Sequence, residues 1–169
     1  VAIILGGSKV SDKINIVKRL ANVVEKIFVG GGMAATFLKA KGLEVGDSVV
    51  DDNFVDVVNK LESDSLYIPV DVVVSDSFED SGNIRICSVN DINVGEIIMD
   101  IGPKTIDLYI KKLEKSKTIF WNGPMGIYEW GNYSNGTRAI AKKVSEDKFV
   151  SVIGGGSTVD AISKFGYES

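Results

Sequence analysis

The sequence predicts a single α/β domain over residues 1–169, with a doubly wound, mostly parallel sheet and helices on both faces in a Rossmann-like arrangement. Apolar, β-rich runs alternate along the chain with helical patterns, as the buried strands and covering helices of parallel sheets do. Four of these runs end in a glycine-rich turn that precedes an expected helix. The turns are Leu5-Gly6-Gly7-Ser8, Val29-Gly30-Gly31-Gly32, Trp121-Asn122-Gly123-Pro124 and Ile153-Gly154-Gly155-Gly156-Ser157-Thr158.

The first half of the chain alternates strand and helix signals. We predict strands from Val1 to Leu5 and from Lys26 to Val29, and a strand from Leu66 to Ser75 that is interrupted near Pro69. Apolar residues at helical spacing predict three helices. These helices run from Ser11 to about Glu25, from Met33 to Lys41 and from Asp51 to Leu61. Gly42 suits the end of the second helix, because glycine adopts the left-handed conformation that terminates helices.

The second half begins with an irregular segment from Asp76 to Asn93. Turn signals at Asp80-Ser81-Gly82-Asn83 and a short strand from Ile84 to Cys87 predict a small antiparallel excursion there. Regular alternation then returns, and it predicts three more strands and three more helices. The strands are Ile97 to Ile101, Thr118 to Trp121 and Phe149 to Ile153, and the helices are Pro103 to Leu113, Thr137 to Val144 and a last one from about Thr158.

Composition restricts the classes of function. The 169 residues are 44% hydrophobic and 25% charged, with a net charge of −4. A nucleic-acid-binding domain or a domain that binds anionic lipid would be expected to carry a basic surface instead. No apolar run approaches the roughly 18 residues that a transmembrane helix needs. We therefore expect a cytoplasmic monomer that binds neither nucleic acid nor membrane.

Two residue types that often carry chemistry are rare or missing. The chain has no histidine, which removes the usual acid–base residue, the commonest metal ligand and every nucleophile paired with histidine. Its single cysteine, Cys87, cannot form a disulfide within the chain, and we expect it to be buried in a strand. Phosphoryl transfer remains compatible, because it depends on positioning, cations and a metal ion.

The glycine-rich turns predict a phosphate or nucleotide site. The carboxyl ends of parallel strands meet at one edge, where helix N-termini present unpaired N–H groups and a partial positive charge. Each turn alone could be ordinary turn geometry, and neither a Walker A loop nor the dinucleotide fingerprint occurs. Lys9 and Lys13 lie four residues apart and could approach one oligophosphate from the same side. The alternative is a solvated lysine pair with Asp12 as counterion.

Longer motifs resemble those of the phosphoglycerate kinase family, in the family's order and at its spacing. They are ILGGSKVSDKI at 4–14, GGGMAATFLKA at 30–40, PVD at 69–71, DIGPKT at 100–105, WNGPMGIYEW at 121–130 with Gly136-Thr137, and GGGST at 154–158. The resemblance implies the nucleotide-binding C-terminal domain of a two-domain enzyme, which exchanges a phosphoryl group between 1,3-bisphosphoglycerate and ADP with Mg²⁺. We expect the chain to be a fragment of such an enzyme, lacking the N-terminal substrate domain and the extreme C-terminal segment. It should bind MgADP and MgATP without turnover.

The resemblance also implies roles for individual residues. Lys9 is similar to the catalytic lysine that stabilises the transferring phosphoryl group, and Lys13 to the lysine that holds nucleotide phosphates. Glu129 matches the carboxylate that binds the ribose hydroxyls. The other implied nucleotide contacts are Gly7, Gly31, Gly32, Asn122, Pro124, Gly126, Gly154, Gly155, Gly156, Ser157 and Thr158, and the expected apolar walls for adenine are Val49, Phe78 and Met99. We expect Trp121 and Trp130 to pack in the core.

The implied metal site departs from the family pattern at one position. The family has Gly-Gly-Gly-Asp-Thr/Ser, in which the aspartate binds magnesium, whereas this chain has Ser157. A serine hydroxyl can contact magnesium, but it is neutral and weaker than a carboxylate. Asp160, three residues further along the expected helix, could instead reach the metal directly or through a water.

Two other functions compete with a catalytic domain. One is a non-catalytic adenine-nucleotide sensor that keeps the pocket, and Ser157 is the sequence feature that favours it. The other is a dehydrogenase-type dinucleotide domain. It is disfavoured because the first turn lacks the fingerprint and instead brings lysines to the phosphates.

Overall fold

The elements of the fold follow the predicted alternation closely. The structure, a computed structural model of the chain, describes residues 1–20, 23–61 and 64–168. The strands are β1 (Ala2–Leu5), β2 (Lys26–Val29), β3 (Leu66–Tyr67), β4 (Asp71–Ser75), β5 (Ile84–Ser88), β6 (Ile97–Ile101), β7 (Thr118–Asn122) and β8 (Val150–Gly154). The helices are α1 (Val10–Leu20), α2 (Met33–Ala40), α3 (Asp52–Asn59), α4 (Pro103–Leu113), α5 (Asn135–Val144) and α6 (Gly156–Phe165), with a 3₁₀ turn at Gly131–Tyr133. No helix within these ranges is long and apolar enough to cross a lipid bilayer.

A five-stranded parallel sheet forms the centre of the molecule, in the order β3-β2-β1-β7-β8. The register brings the ends of neighbouring strands level. Leu5 pairs with Val29 on one side and with Asn122 on the other, and Asn122 pairs with Gly154. The four glycine-rich turns therefore leave the sheet side by side, as the parallel prediction requires.

Alternate residues of β1 face opposite sides of this sheet. Ala2 and Ile4 pack in a core cluster with side chains of α4 and α5, and Ile162 and Phe165 of α6 pack against the same cluster. Ile3 belongs to a second cluster, on the other face, with side chains of α1, α2 and α3. Removing both faces from water provides the main driving force for folding. The predicted doubly wound α/β fold is confirmed.

A second sheet, in the order β5-β4-β6, is antiparallel throughout. The run from Leu66 to Ser75 is thus two strands in different sheets, because the chain leaves the parallel sheet around Pro69. Proline has no N–H to give to a ladder and favours such a break. The antiparallel excursion predicted after Asp76 is confirmed by β5, but the sequence did not reveal that β6 joins the same sheet.

Smaller differences concern the ends of helices. The described part of the first helix runs from Val10 to Leu20, whereas the sequence predicts a helix to about Glu25. Residues 21–22 of that prediction lie outside the described ranges, and residues 23–25 form a turn. Helix α5 begins two residues earlier than expected and α6 begins at Gly156. Gly42 follows α2 with φ +81°, which confirms its predicted place at the helix end.

Both tryptophans pack as expected. Trp121 is fully buried, and its indole N–H donates to the Gly123 carbonyl oxygen at 2.8 Å. The ring of Trp130 lies 5.3 Å from that of Phe78 and 6.2 Å from that of Tyr133. The contact with Phe78 attaches the loop after β4 to the segment after β7, and the contact with Tyr133 lies within that segment.

The start of α4 is joined to β4 by a buried hydrogen-bond cluster around Asp71 and Thr105. The Asp71 carboxylate accepts from the backbone N–H groups of Lys104 at 3.0 Å and of Thr105 at 2.7 Å. It thereby satisfies two donors of the first helical turn from another element. The Thr105 hydroxyl oxygen in turn accepts from the backbone N–H groups of Val70 and Asp71 at 3.0 and 3.1 Å. A Cβ on Gly102 would stand 2.3 Å from the Asp71 carboxyl carbon, so only glycine fits there.

We expect Thr105→Val to lower the free energy of unfolding by about 1–3 kcal/mol, because it leaves two backbone N–H groups without their buried acceptor. The midpoint and slope of urea unfolding would measure the change. Thr118→Val on β7 is the matched control, since among the described residues the Thr118 hydroxyl has no hydrogen-bond partner. Equal midpoints for the two variants would contradict the role given to Thr105.

Candidate functional site

A cleft of about 840 Å³ opens where the carboxyl ends of the parallel strands meet. The turns after β1, β2, β7 and β8 all contribute to its lining. The sequence-predicted residues in this lining are Gly7, Lys9, Lys13, Gly31, Gly32, Val49, Phe78, Met99, Asn122, Pro124, Gly126, Glu129, Gly155, Gly156, Ser157 and Thr158. Gly154 lies outside the lining as the last residue of β8, where a Cβ would stand 3.2 Å from the Asn122 amide nitrogen.

The floor of the cleft is main chain packed directly on main chain. The N–H of Gly7 donates to the Pro124 carbonyl oxygen and the N–H of Gly31 donates to that of Met125, both at 2.9 Å. Gly31 has φ +63°, and a Cβ there would lie 2.4 Å from the Gly7 nitrogen. A side chain at Gly31 would therefore strain the backbone and separate the turns. Glycine at this position therefore keeps the turns in direct contact and fixes the floor of the cleft.

The two predicted lysines differ in environment. The Lys13 ammonium is half-buried and donates to the Gly6 carbonyl oxygen. Burial lowers the pKa of Lys13, Asp12 opposes that shift, and the positive charge of Lys9 adds to it. Lys9 is exposed, and its ammonium has no hydrogen-bond or ion-pair partner among the described residues. Lys13 is thus partly removed from solvent, with Asp12 close enough to act on its charge, and both lysines line the cleft.

The N-terminus of α6 opens into the same cleft. Gly155, with φ +86°, turns the chain from β8 into the helix. The Thr158 hydroxyl is fully buried and accepts from the Gly123 N–H at 2.7 Å, so it fastens the turn after β7 to the helix. Ser157 is exposed in the lining. Its hydroxyl and the first N–H groups of α6 can therefore meet a ligand phosphate.

The acidic residues give little support to a protein-held metal ion. No group of three or more possible metal ligands occurs within the described ranges. The Asp160 carboxylate accepts from the Tyr128 hydroxyl at 2.8 Å and lies outside the cleft lining. The Ser157 hydroxyl can serve Mg²⁺ as one neutral ligand, so the ion would depend mainly on ligand phosphates and water.

Glu129 places a carboxylate in the cleft that has no partner among the residues that the structure describes. It is exposed in the cleft lining, and it forms neither a hydrogen bond nor an ion pair through its side chain with the described residues. Paired hydroxyls of a sugar would be suitable donors to such a group.

One wall of the cleft is apolar. Val49 and Phe78 line it and are 82% and 62% exposed, so their apolar surfaces are open to a ligand in the cleft. Met99 stands at an irregularity of the second sheet, because Val73 pairs with Asp100 and Val74 pairs with Ile98. Lining residues that sequence reasoning missed are Ser8, Asp12, Ile16, Ala35, Ser48, Ile97, Ile98, Gly123, Ile127 and Tyr128. Six of them, Ser8, Asp12, Ala35, Gly123, Ile127 and Tyr128, lie inside the motifs quoted above, whereas no sequence signal marked the irregularity of the second sheet.

A buried carboxylate, also missed from the sequence, supports the cleft from below. Asp100 is 1% exposed and accepts from the backbone N–H groups of Ile101 at 2.8 Å and of Gly136 at 2.9 Å. A Cβ on Gly126 or on Gly136 would stand 2.4 Å from Asp100 Oδ1. Burial raises the pKa of Asp100 to about 7, against the effect of the two hydrogen bonds.

We expect the free energy of unfolding, measured as wild type minus Asp100→Asn, to fall by about 2–4 kcal/mol between about pH 4 and pH 8. The folded protein binds this proton more tightly than the unfolded chain, whose carboxyl has the ordinary pKa of 3.8. Stability that is present at low pH is therefore lost as the buried carboxyl ionises. Urea unfolding across the pH range would measure the difference, with the exposed Asp107→Asn as control. A difference independent of pH would contradict the assignment.

Comparison with known proteins identifies close relatives over nearly the whole chain. The model of the family described as phosphoglycerate kinase matches residues 1–169. A phosphoglycerate kinase of Rubrobacter xylanophilus is 43% identical over 168 residues, covering 98% of this chain and 43% of the relative. One of Staphylococcus epidermidis is 40% identical over 172 residues, covering 99% and 43%. The solved structure of phosphoglycerate kinase from Coxiella burnetii superimposes with a TM-score of 0.93 at 37% identity, covering 98% of this chain and 44% of that one. The chain thus spans less than half the length of these relatives.

Proposed function

This chain belongs to the phosphoglycerate kinase family, and from that premise we propose that its cleft binds ADP or ATP together with Mg²⁺. We propose further that it is the nucleotide-binding half of an enzyme that transfers a phosphoryl group between 1,3-bisphosphoglycerate and ADP, giving 3-phosphoglycerate and ATP. The chain covers 43% of the length of a relative, so the phosphoglycerate would be held by a part of the protein outside these residues.

The observation that carries the nucleotide proposal is that one cleft contains groups suited to each part of a nucleotide. Two lysines and a helix N-terminus suit phosphates, an unpartnered carboxylate suits a ribose, and exposed apolar side chains suit a base. Gly31 lies in the lining of the same cleft, and its missing side chain lets the turns that form the floor pack main chain on main chain. A simple phosphate or sulfate site would not need the apolar wall.

Each cation has a distinct part in the proposed chemistry. Lys13 is held on the Gly6 carbonyl oxygen and would bind phosphates that do not move during transfer. Lys9 is exposed and unpartnered in the described part of the chain, so it would follow the transferring group and stabilise its developing charge. Mg²⁺, when bound with the nucleotide, supplies further neutralisation of phosphate charge, with Ser157 as its protein contact.

We expect this chain to bind MgADP and Lys13→Met to weaken that binding about tenfold or more, the equivalent of one lost charge-assisted hydrogen bond. Calorimetry at fixed ionic strength would measure the affinity. Lys18→Met removes an exposed charge from the same helix outside the cleft lining and is the matched control. NAD should bind far more weakly than MgADP, and the chain alone should not consume ATP when 3-phosphoglycerate is added. Equal losses in both lysine variants, or preferred binding of NAD, would contradict the proposal.

Ser157 also favours a second candidate, a nucleotide sensor without catalysis. We expect Ser157→Asp to tighten binding of ADP in Mg²⁺ about threefold to tenfold and to weaken it in EDTA, because a carboxylate attracts the metal and repels bare phosphate. Val159→Asp adds the same charge to the first turn of α6 outside the cleft lining and serves as control. Identical affinities of wild type and Ser157→Asp in Mg²⁺ would show that the metal is held elsewhere.

A further inference from the structure

Two side chains of α6 hold the loop that carries Glu129. The Tyr128 hydroxyl donates to Asp160 Oδ2 at 2.8 Å. One turn further along the helix, the Lys164 ammonium donates to the Glu129 carbonyl oxygen at 3.2 Å and lies 5.8 Å from the centre of the Tyr128 ring. Asp160 and Lys164 are four residues apart, so they face the loop from the same side of α6. We call this set of contacts the α6 strap.

We propose that Tyr128 and Asp160, assisted by Lys164, are positioning residues that hold the Glu129 carboxylate in register with the phosphate-facing N-terminus of α6. The strap then lets one nucleotide engage its ribose hydroxyls and its phosphates at the same time. This inference rests on the proposed nucleotide function. It adds a role for residues that do not themselves contact the phosphates.

The need for such a strap follows from the surroundings of Glu129. Its carboxylate is exposed and unpartnered in the described part of the chain, so nothing fixes it through its own side chain. The opposite side of the loop is anchored by the Ile127 N–H, which donates to the Met99 carbonyl oxygen at 3.1 Å. On the α6 side, the fixing contacts are those of the strap. A preorganised carboxylate avoids the entropy that a mobile one would lose on binding.

The hydroxyl that forms the strap is a dependable donor. Tyr128 is 6% exposed. Burial, with a further contribution from its hydrogen bond to Asp160, raises the pKa of Tyr128 to about 12. The hydroxyl therefore keeps its proton throughout the neutral range and can donate it to Asp160 Oδ2. Because that carboxylate faces Tyr128 and not the cleft, we assign Asp160 to the ribose side of the site and not to the metal.

The test compares two ligands that differ only at the sugar, ADP and 2′,3′-dideoxy-ADP, by calorimetry on the full chain. We expect Tyr128→Phe and Asp160→Ala each to weaken ADP about threefold to tenfold and to leave dideoxy-ADP unchanged. The double variant should lose no more than either single one, because both remove the same bond. Asp160→Asn keeps an acceptor and should recover much of the affinity. The dependence of ADP binding on Mg²⁺ should be the same in Asp160→Ala as in the wild type.

Tyr109→Phe is the matched control, because it also removes a buried tyrosine hydroxyl bond, here to the Val29 carbonyl oxygen at 2.6 Å. It should lower stability and leave the preference for ADP over dideoxy-ADP unchanged. Glu129→Gln distinguishes the proposed contact of Glu129 with the ribose from the positioning of Glu129 by the strap. If it abolishes that preference while Tyr128→Phe preserves it, the strap is overturned and the nucleotide proposal stands. If Glu129→Gln also preserves the preference, both the ribose assignment and the strap are overturned. If Tyr128→Phe weakened both ligands equally, Tyr128 would contribute only to the stability of the fold, and its role in positioning Glu129 would be overturned.

Discussion

The direct contact between three glycine-rich turns is the constraint on which the rest of the cleft depends. Neighbouring parallel strands end level, and their turns are then joined by hydrogen bonds from the Gly7 N–H to the Pro124 carbonyl oxygen and from the Gly31 N–H to that of Met125. No side chain fits between these backbones, as the 2.4 Å that would separate a Gly31 Cβ from the Gly7 nitrogen makes plain. The register of the strands, which is set in the core, thereby determines the shape of the cleft floor, to which turns from three strands contribute. Substitutions that loosen the core should change the cleft as well.

Charge in this molecule is arranged by depth. The Lys13 ammonium donates to the Gly6 carbonyl oxygen in the floor of the cleft, and the loss of solvation that comes with this burial lowers its pKa. A phosphate bound next to Lys13 would stabilise the charged ammonium that burial disfavours, so phosphate binding and protonation of Lys13 favour each other. Lys9, Glu129 and Ser157 stay exposed around this fixed cation. A lysine held by the main chain, surrounded by exposed side chains that are free to move, suits a ligand of which one part stays bound while another part leaves.

The sequence predicted most of the fold, because apolar alternation and glycine turns are local signals. It also predicted sixteen of the residues that line the cleft, thirteen of them through motifs that are themselves local. What it missed depends on partners distant in the chain. Pro69 hinted at an interruption, but only tertiary pairing sends β4 and β6 to a second sheet. The sequence likewise placed Asp160 in the first turns of a helix without revealing that its nearest described partner would be Tyr128.

The buried Asp100 carboxyl changes its charge around neutral pH, because its pKa is about 7. Histidine, whose signals usually crowd that range in nuclear magnetic resonance, is absent from the chain. The Asp100 carboxyl, with its pKa of about 7, lies directly against Gly126, which lines the cleft. A carbon-13 label in aspartate carboxyl groups would therefore let the Asp100 resonance be followed as this buried group ionises near pH 7. Because Gly126 separates this carboxyl from the cleft, the same resonance would test whether a ligand in the cleft alters the surroundings of Asp100.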